Sequence, residues 1–165
     1  MQLRPYQERQ INEARVMLRK LKEELRAAGE TRGPRILLQC PTGGGKTMIT
    51  SFITKSAVEI GNTPVYFMCH RDFLVDQTSQ TYGRLSIDHS FIAAGKWFNA
   101  WPSVFVAMVQ SVRSRLAKLK KPKLVIWDEA HHIGAATWAA IMMEWPDATH
   151  IGLSATPIRL DGKGL

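Results

Sequence analysis

A short apolar run, Arg35–Cys40, leads directly into Pro41-Thr42-Gly43-Gly44-Gly45-Lys46-Thr47, and an amphipathic stretch, Lys46–Ile60, follows without a break. The order strand, glycine loop, helix constrains this chain more than any other stretch. Glycines let the backbone curl with its N–H groups pointing inward, and the helix N-terminus adds a favourable partial charge for an anion. Thr42, Gly43, Gly44 and Gly45 would cradle a polyphosphate, Lys46 would reach its β and γ phosphates, and the Thr47 hydroxyl would ligate Mg²⁺. Such loops usually open with Gly or Ala; Cys40 stands there instead and is small enough to fit.

Around this loop, apolar runs rich in β-formers alternate with longer amphipathic segments. The runs are Arg35–Cys40, Val65–Cys69, His89–Ala93, Val104–Met108, Leu124–Trp127 and His150–Leu153; helical spacing fits Lys46–Ile60, Asp72–Tyr82, Gln110–Lys120 and about Ala130–Met143. Several runs lack in/out alternation, as strands covered on both faces do. The pattern predicts an α/β fold: three layers, with a mostly parallel central sheet and helices on both faces. A further helix is expected after Pro5, where Ile11, Ala14, Leu18, Leu21 and Leu25 recur at helical spacing until Gly29 and Gly33-Pro34 end it. Residues 1–32 are therefore read as an N-terminal segment and helix, and 33–165 as the nucleotide-binding domain.

Leu124–Trp127 delivers Asp128-Glu129-Ala130-His131 to a strand's carboxyl end, the edge where open parallel sheets bind ligands. Two adjacent carboxylates can divide a phosphoryl-transfer task. Asp128 would hold Mg²⁺ through water, and Glu129 would orient and deprotonate the attacking water. Alone, the pair could equally cap the next helix. The upstream loop tips the reading towards ATP hydrolysis, with Glu129, Lys46 and Asp128 catalytic. No third ligand accompanies His131 and His132 at zinc spacing.

Composition narrows the setting. A chain of 165 residues that is 45% apolar can bury roughly 70% of its unfolded surface, so it requires no disulfide or metal staple. No apolar run approaches the ~20 residues of a membrane span, and Cys40 and Cys69 suit buried thiols in a reducing compartment. A cytoplasmic or nucleoid-associated protein is expected, or one in the host cytoplasm if phage-encoded. The 22 Lys and Arg against 14 Asp and Glu give +8, which usually means a polyanionic partner. Six of those basic residues lie between Ser111 and Leu124 with no acid among them; without them the balance falls to 16 against 14.

The ordered set of motifs resembles the first motor lobe of superfamily-2 helicases and translocases, a RecA-like domain, over essentially the whole chain. Leu3-Arg4-Pro5-Tyr6-Gln7 resembles the adenine-sensing Q motif and Pro41–Thr47 motif I. His70-Arg71-Asp72-Phe73-Leu74-Val75-Asp76-Gln77 is similar to motif Ia. Ala107-Met108-Val109-Gln110-Ser111 is similar to the segment before a second nucleic-acid contact. Asp128–His131 resembles a DEAH-type motif II, and Ser154-Ala155-Thr156 motif III. The opening and the ending, Thr156–Leu165, look most like type III restriction subunits and XPB-type DNA translocases.

The resemblance implies that Gln7 reads adenine with its amide, helped by Tyr6 or Arg4, and that His131, Ser154 and Thr156 couple the acidic motif to the nucleic-acid face. It implies Arg71, Gln110, Ser111 and Arg113 as nucleic-acid contacts, with DNA favoured over RNA. Motors of this family close ATP between two lobes, and an arginine finger from a second one is worth ~10³–10⁵ in rate. With no room for that lobe after Thr156, this chain is expected to be one lobe of a motor, weakly active by itself. The alternatives are a nucleotide-dependent binding module without motor activity, an RNA helicase lobe, or a P-loop kinase; the kinase leaves the Q-like and Ser-Ala-Thr motifs unexplained. Lys96-Trp97-Phe98-Asn99-Ala100-Trp101-Pro102 interleaves aromatics with a lysine, and packing under the sheet edge is the expectation there.

Overall fold

In the computed structural model, which describes residues 2–41, 43–61, 63–130 and 135–155, the strands form one sheet. Its elements in chain order are α1 (Pro5–Ala27), β1 (Arg35–Gln39), α2 (Lys46–Gly61), β2 (Val65–Cys69), α3 (Asp72–Arg84), β3 (Ser90–Ile92), β4 (Val104–Met108), α4 (Val109–Arg115), β5 (Leu124–Trp127), α5 (Ala135–Glu144) and β6 (Thr149–Ser154). The strand order is β1-β6-β5-β2-β4-β3, and every pairing is parallel. The expected α/β architecture is therefore present, with a sheet parallel throughout.

Apolar runs without polar alternation become the centre of this sheet because both faces are covered. All residues of β2 and β5 are buried. Val65, Phe67, Leu124 and Ile126 point into a core shared with Leu18 and Leu21 of α1, Phe52 and Ile53 of α2, and Val75 and Tyr82 of α3. Their neighbours Tyr66, Met68, Val125 and Trp127 point the other way, against Val112 of α4 and Ile141 of α5. Among the described residues, α1, α2 and α3 thus pack on one face and α4 and α5 on the other.

The helices α2 and α3 run one and two residues past their expected ends, to Gly61 and Arg84, and α4 departs further from its expected bounds. The segment expected as a helix over Gln110–Lys120 starts one residue earlier, at Val109, and its α-helical part ends at Arg115; Leu116–Lys118 continue as a 3₁₀ turn. Tightening the last turn is a common way to end a helix, and here Leu116 and Leu119 still pack on the core. The helix expected over about Ala130–Met143 is described over Ala135–Glu144, and residues 131–134 lie outside the described residues. The aromatic segment departs further. Phe98 stacks on Phe105, but Trp97 and Trp101 lie in solvent. The expected packing fails for the two indoles, because the connection is held by the Asn99 N–H on Ser90, the Lys96–Asp76 pair and Phe98 on Phe105 rather than by their rings.

Candidate nucleotide site

Four segments converge on the carboxyl edge of the sheet. The chain leaves β1 through Cys40, whose N–H donates to the Ser154 carbonyl of β6 at 2.9 Å, and turns with the Gly44 N–H on the Pro41 carbonyl at 2.9 Å. Gly43 and Gly45 take φ of +77° and +76°, the left-handed region that side chains avoid. The Ile49 N–H then donates to the Gly45 carbonyl at 3.1 Å, and α2 runs on from Lys46. Thr42 lies outside the described residues. The loop folds over Cys40, whose thiol is raised above its usual range by burial, with Lys46 acting against and Glu129 with that shift.

The first turn of α1 braces this loop. The Gly44 carbonyl accepts hydrogen bonds from Tyr6 Oη at 2.9 Å and from Gln7 Nε2 at 3.2 Å. Gln7 is 5% exposed, and its Oε1 accepts the Arg4 backbone N–H at 2.9 Å, which closes the start of α1. An amide has two donors and two acceptor lone pairs, so each end of Gln7 keeps one capacity for a base edge. Arg4 and Tyr6 stay exposed beside it. This bracing by Tyr6 and Gln7 is not legible in the motif alone, since nothing in the spacing says which carbonyl they will meet.

Across the site, β5 ends in the acidic pair. Asp128 is 7% exposed, and its N–H donates to the Met68 carbonyl at 3.0 Å. Burial and then the neighbouring Glu129 carboxylate push its carboxyl up to about 6, against the pull of Lys46 and of the Glu129 N–H. Glu129 takes φ of +48°, a strained backbone for a residue with a side chain. Its carboxylate ion-pairs with the Lys46 ammonium. Thr47 is half-buried one residue on. A carboxylate and a hydroxyl are the hard oxygen donors Mg²⁺ prefers, and a buried carboxyl with a raised pKa is one a cation would stabilise. Asp128 and Thr47 therefore fit the metal.

Ser154 is fully buried at the end of β6, beside Gln39 in the register. His131 and Thr156 lie outside the described residues. Arg71 is exposed and immediately precedes α3, at the same edge. Gln110 and Ser111 fall within the first turn of α4 rather than ahead of it. Arg113 is exposed and donates to Thr137 Oγ1 of α5 at 3.2 Å.

The chain is similar to known proteins. The family model described as "Type III restriction enzyme, res subunit" matches residues 1–159. A 51.5 kDa protein of a Lactococcus phage is 38% identical over 128 residues, covering 78% of this chain and 25% of that protein. The DNA 3'-5' translocase XPB2 of Sulfurisphaera tokodaii is 29% identical over 131 residues, covering 78% and 28%. Among solved structures, the Sulfolobus solfataricus SWI2/SNF2 ATPase core in complex with dsDNA superposes with a TM-score of 0.73 at 20% identity, over 95% of this chain and 32% of that one. The chain thus spans about a quarter of the length of the curated relatives it matches. With a family match over almost its whole length and a RecA-like sheet, the chain belongs to the type III restriction enzyme res-subunit family, as the N-terminal motor lobe of a superfamily-2 helicase.

Proposed function

We propose that the chain binds ATP at its glycine loop and, together with a second RecA-like lobe, couples Mg²⁺-dependent hydrolysis to movement on, or remodelling of, DNA. The observation that carries this reading is the Lys46–Glu129 ion pair, which joins the phosphate loop to the acidic strand end. ATP entering the loop offers Lys46 a phosphate in place of a carboxylate. Glu129, released, orients the attacking water and takes its proton, while Thr47 and Asp128 would hold the metal. Mg²⁺, when bound, neutralises charge on the phosphoryl oxygens. Gln7 has the remaining amide capacity to read adenine, and Arg4 and Tyr6 flank it.

DNA is favoured over RNA by the company the chain keeps: one relative is a DNA translocase and one structural neighbour holds duplex DNA. Arg71, Gln110, Ser111 and Arg113 supply phosphate contacts, which position a strand without reading its sequence. The test is ATP turnover by this chain and by a two-lobed version, each with and without DNA. Stimulation by DNA only in the two-lobed form is expected. Tight DNA binding without turnover in either form would replace the motor with a nucleotide-dependent clamp, and greater stimulation by RNA would reverse the choice of polymer.

A further inference from the structure

A cavity of about 470 Å³ opens between the later turns of α1 and α2, over the amino ends of β5 and β6 and so at the sheet edge away from Asp128. Its size is that of a small-ligand pocket, about 300–1,000 Å³. The two helical walls differ in chemistry. Arg15, Arg19 and Lys22 stand four and three residues apart on α1 and share one face, and Lys123, just before β5, adds a fourth cation. The α2 wall supplies Ile53, Ala57 and Ile60 at the same spacing, and Leu18, Leu124 and Ile151 complete an apolar floor. Ser56, Thr63 and Thr149 contribute hydroxyls. Arg15 Nη2 donates to Ser56 Oγ at 3.0 Å, which joins the walls.

No carboxylate is among the described residues that line this cavity. The acids nearest in sequence are engaged or turned elsewhere: Glu24 pairs with Lys20 and Glu59 with Lys55, each at 3.8 Å, and Glu23 does not line the space. Among the described residues, none of the four cations is in an ion pair. Cations near a helix's carboxyl end are ordinary, since its last carbonyls carry about half a negative charge. Four full charges exceed what the end of α2 at Gly61 can balance. A bare phosphate would satisfy them but would leave the apolar wall unused, where Ile60 is 85% exposed. The occupant that uses both walls has a charged head and an apolar body.

We propose that the cavity between α1 and α2 binds a small amphipathic organic anion, with its phosphate, sulfonate or carboxylate head on the four cations and its apolar body along Ile53, Ala57 and Ile60. The site is separate from the glycine loop: Gln7 and Lys46 lie about two turns back along the same helices, and neither lines the cavity. Nothing in it depends on ATP binding there.

The test is fluorescence titration with anilinonaphthalene sulfonate, an aromatic body with one anionic head. Saturable binding of one dye per chain is expected, with a rise in melting temperature because the folded form is the one that binds. R19Q/K22Q should weaken it by about 5- to 10-fold, the worth of two partly exposed ion pairs. Ile60→Gln should weaken it by about 3-fold through lost apolar contact. These exposed positions carry little of the fold, and Lys46→Ala should leave the dye bound. Octyl phosphate should displace it at concentrations where inorganic phosphate and octanol do not, and comparison with naphthyl phosphate tells an aliphatic body from an aromatic one. Binding unchanged in R19Q/K22Q overturns the site, and its loss in Lys46→Ala would place the dye in the glycine loop instead. Equal displacement by inorganic phosphate would reduce the site to a bare anion hole, and displacement by oligothymidylate ahead of octyl phosphate would give the cations to a nucleic-acid strand; either result overturns the amphipathic ligand.

Discussion

Lys46 and Glu129, 83 residues apart in sequence, meet as an ion pair between the first turn of α2 and the carboxyl end of β5. Under the proposed function each is wanted elsewhere once ATP arrives, the lysine by phosphate and the carboxylate by water. The pair would then compete with the nucleotide, and its two members should respond oppositely to substitution. Lys46→Ala removes the phosphate's cation and should weaken ATP binding by at least about 10-fold, the loss of a charge-assisted hydrogen bond. Glu129→Gln relaxes the competitor and should tighten ATP binding by about 2- to 5-fold, the worth of a partly exposed pair, while turnover in a two-lobed form disappears. A fluorescent ATP analogue reads the first quantity and phosphate release the second. Normal turnover in Glu129→Gln would remove that residue from the role of base.

The loop and α1 share one carbonyl, and that coupling is measurable. A Cβ on Gly45 would stand 2.3 Å from Gln7 Nε2, and the residue's φ of +76° is unfavourable for any side chain. Gly45→Ala should cost about 1–2 kcal/mol in backbone strain before Gln7 is displaced. Gln7→Ala should cost about 0.5–1.5 kcal/mol, by removing one of the two donors to the Gly44 carbonyl and the acceptor of the Arg4 N–H. The two substitutions should not add: with Gln7 truncated, the new methyl group has room, so the double variant should be more stable than the sum implies. Urea unfolding of the four proteins gives the coupling. Additive costs would mean that the loop and Gln7 act independently.

Most of the fold could be read from the chain because its signals are local. Val65–Cys69 and Leu124–Trp127 are continuous apolar runs, too short for a typical helix and rich in β-formers, which suits strands buried on both faces; β2 and β5 match those bounds. The loop and the acidic pair were equally legible, since glycine and carboxylate chemistry depends on a few residues in order. What could not be read is what depends on distant geometry. The two donors on the Gly44 carbonyl come from 37 and 38 residues away. Exposure of Trp97 and Trp101 depends on which groups the rest of the fold brings against the β3–β4 connection, which the local sequence does not reveal. The end of α4 at Arg115 is also a tertiary effect, because Leu116 and Leu119 keep helical spacing in the sequence while the backbone tightens.

A buried histidine gives the protein a pH dependence remote from the nucleotide. His150 is 1% exposed; Trp127 Nε1 donates to its Nδ1 at 3.1 Å, leaving Nε2 to carry the proton towards the Trp145 carbonyl. Protonating Nδ1 would cost the Trp127 bond, and burial pushes the imidazole down to about 4. Its folded pKa lies below the unfolded value of about 6.5, so its contribution is complete above pH 6.5 and is lost as pH falls towards 4. The loss should be on the order of 3 kcal/mol. Asp128 works the other way: its raised pKa favours the folded state as it protonates, between about 6 and the unfolded value. Urea unfolding of wild type and His150→Asn at pH 7.5 and 4.5 separates them. The variant should lose less stability over that interval, and an equal loss would mean His150 is not held neutral by the fold.

The positive charge of the chain is concentrated enough to test as a unit. Val112, Leu116 and Leu119 face the core, which turns Arg113, Arg115, Lys118, Lys120 and Lys121 to solvent along α4 and its exit, uninterrupted by an acid. Arg113 is steadied by Thr137, so the basic surface begins on a fixed side chain. A row of cations with its apolar side already buried has two uses: keeping the protein soluble, or holding phosphates. Only the second releases counterions, so salt dependence discriminates where affinity alone does not. Replacing all five with Gln should weaken duplex binding and flatten the slope of log K against log salt by up to about 4.5, at about 0.9 for each phosphate left without its cation. Thermal stability should barely move, because exposed charges contribute little to it. An unchanged slope would make the row a solvated helix face and leave Arg71 to hold the phosphate.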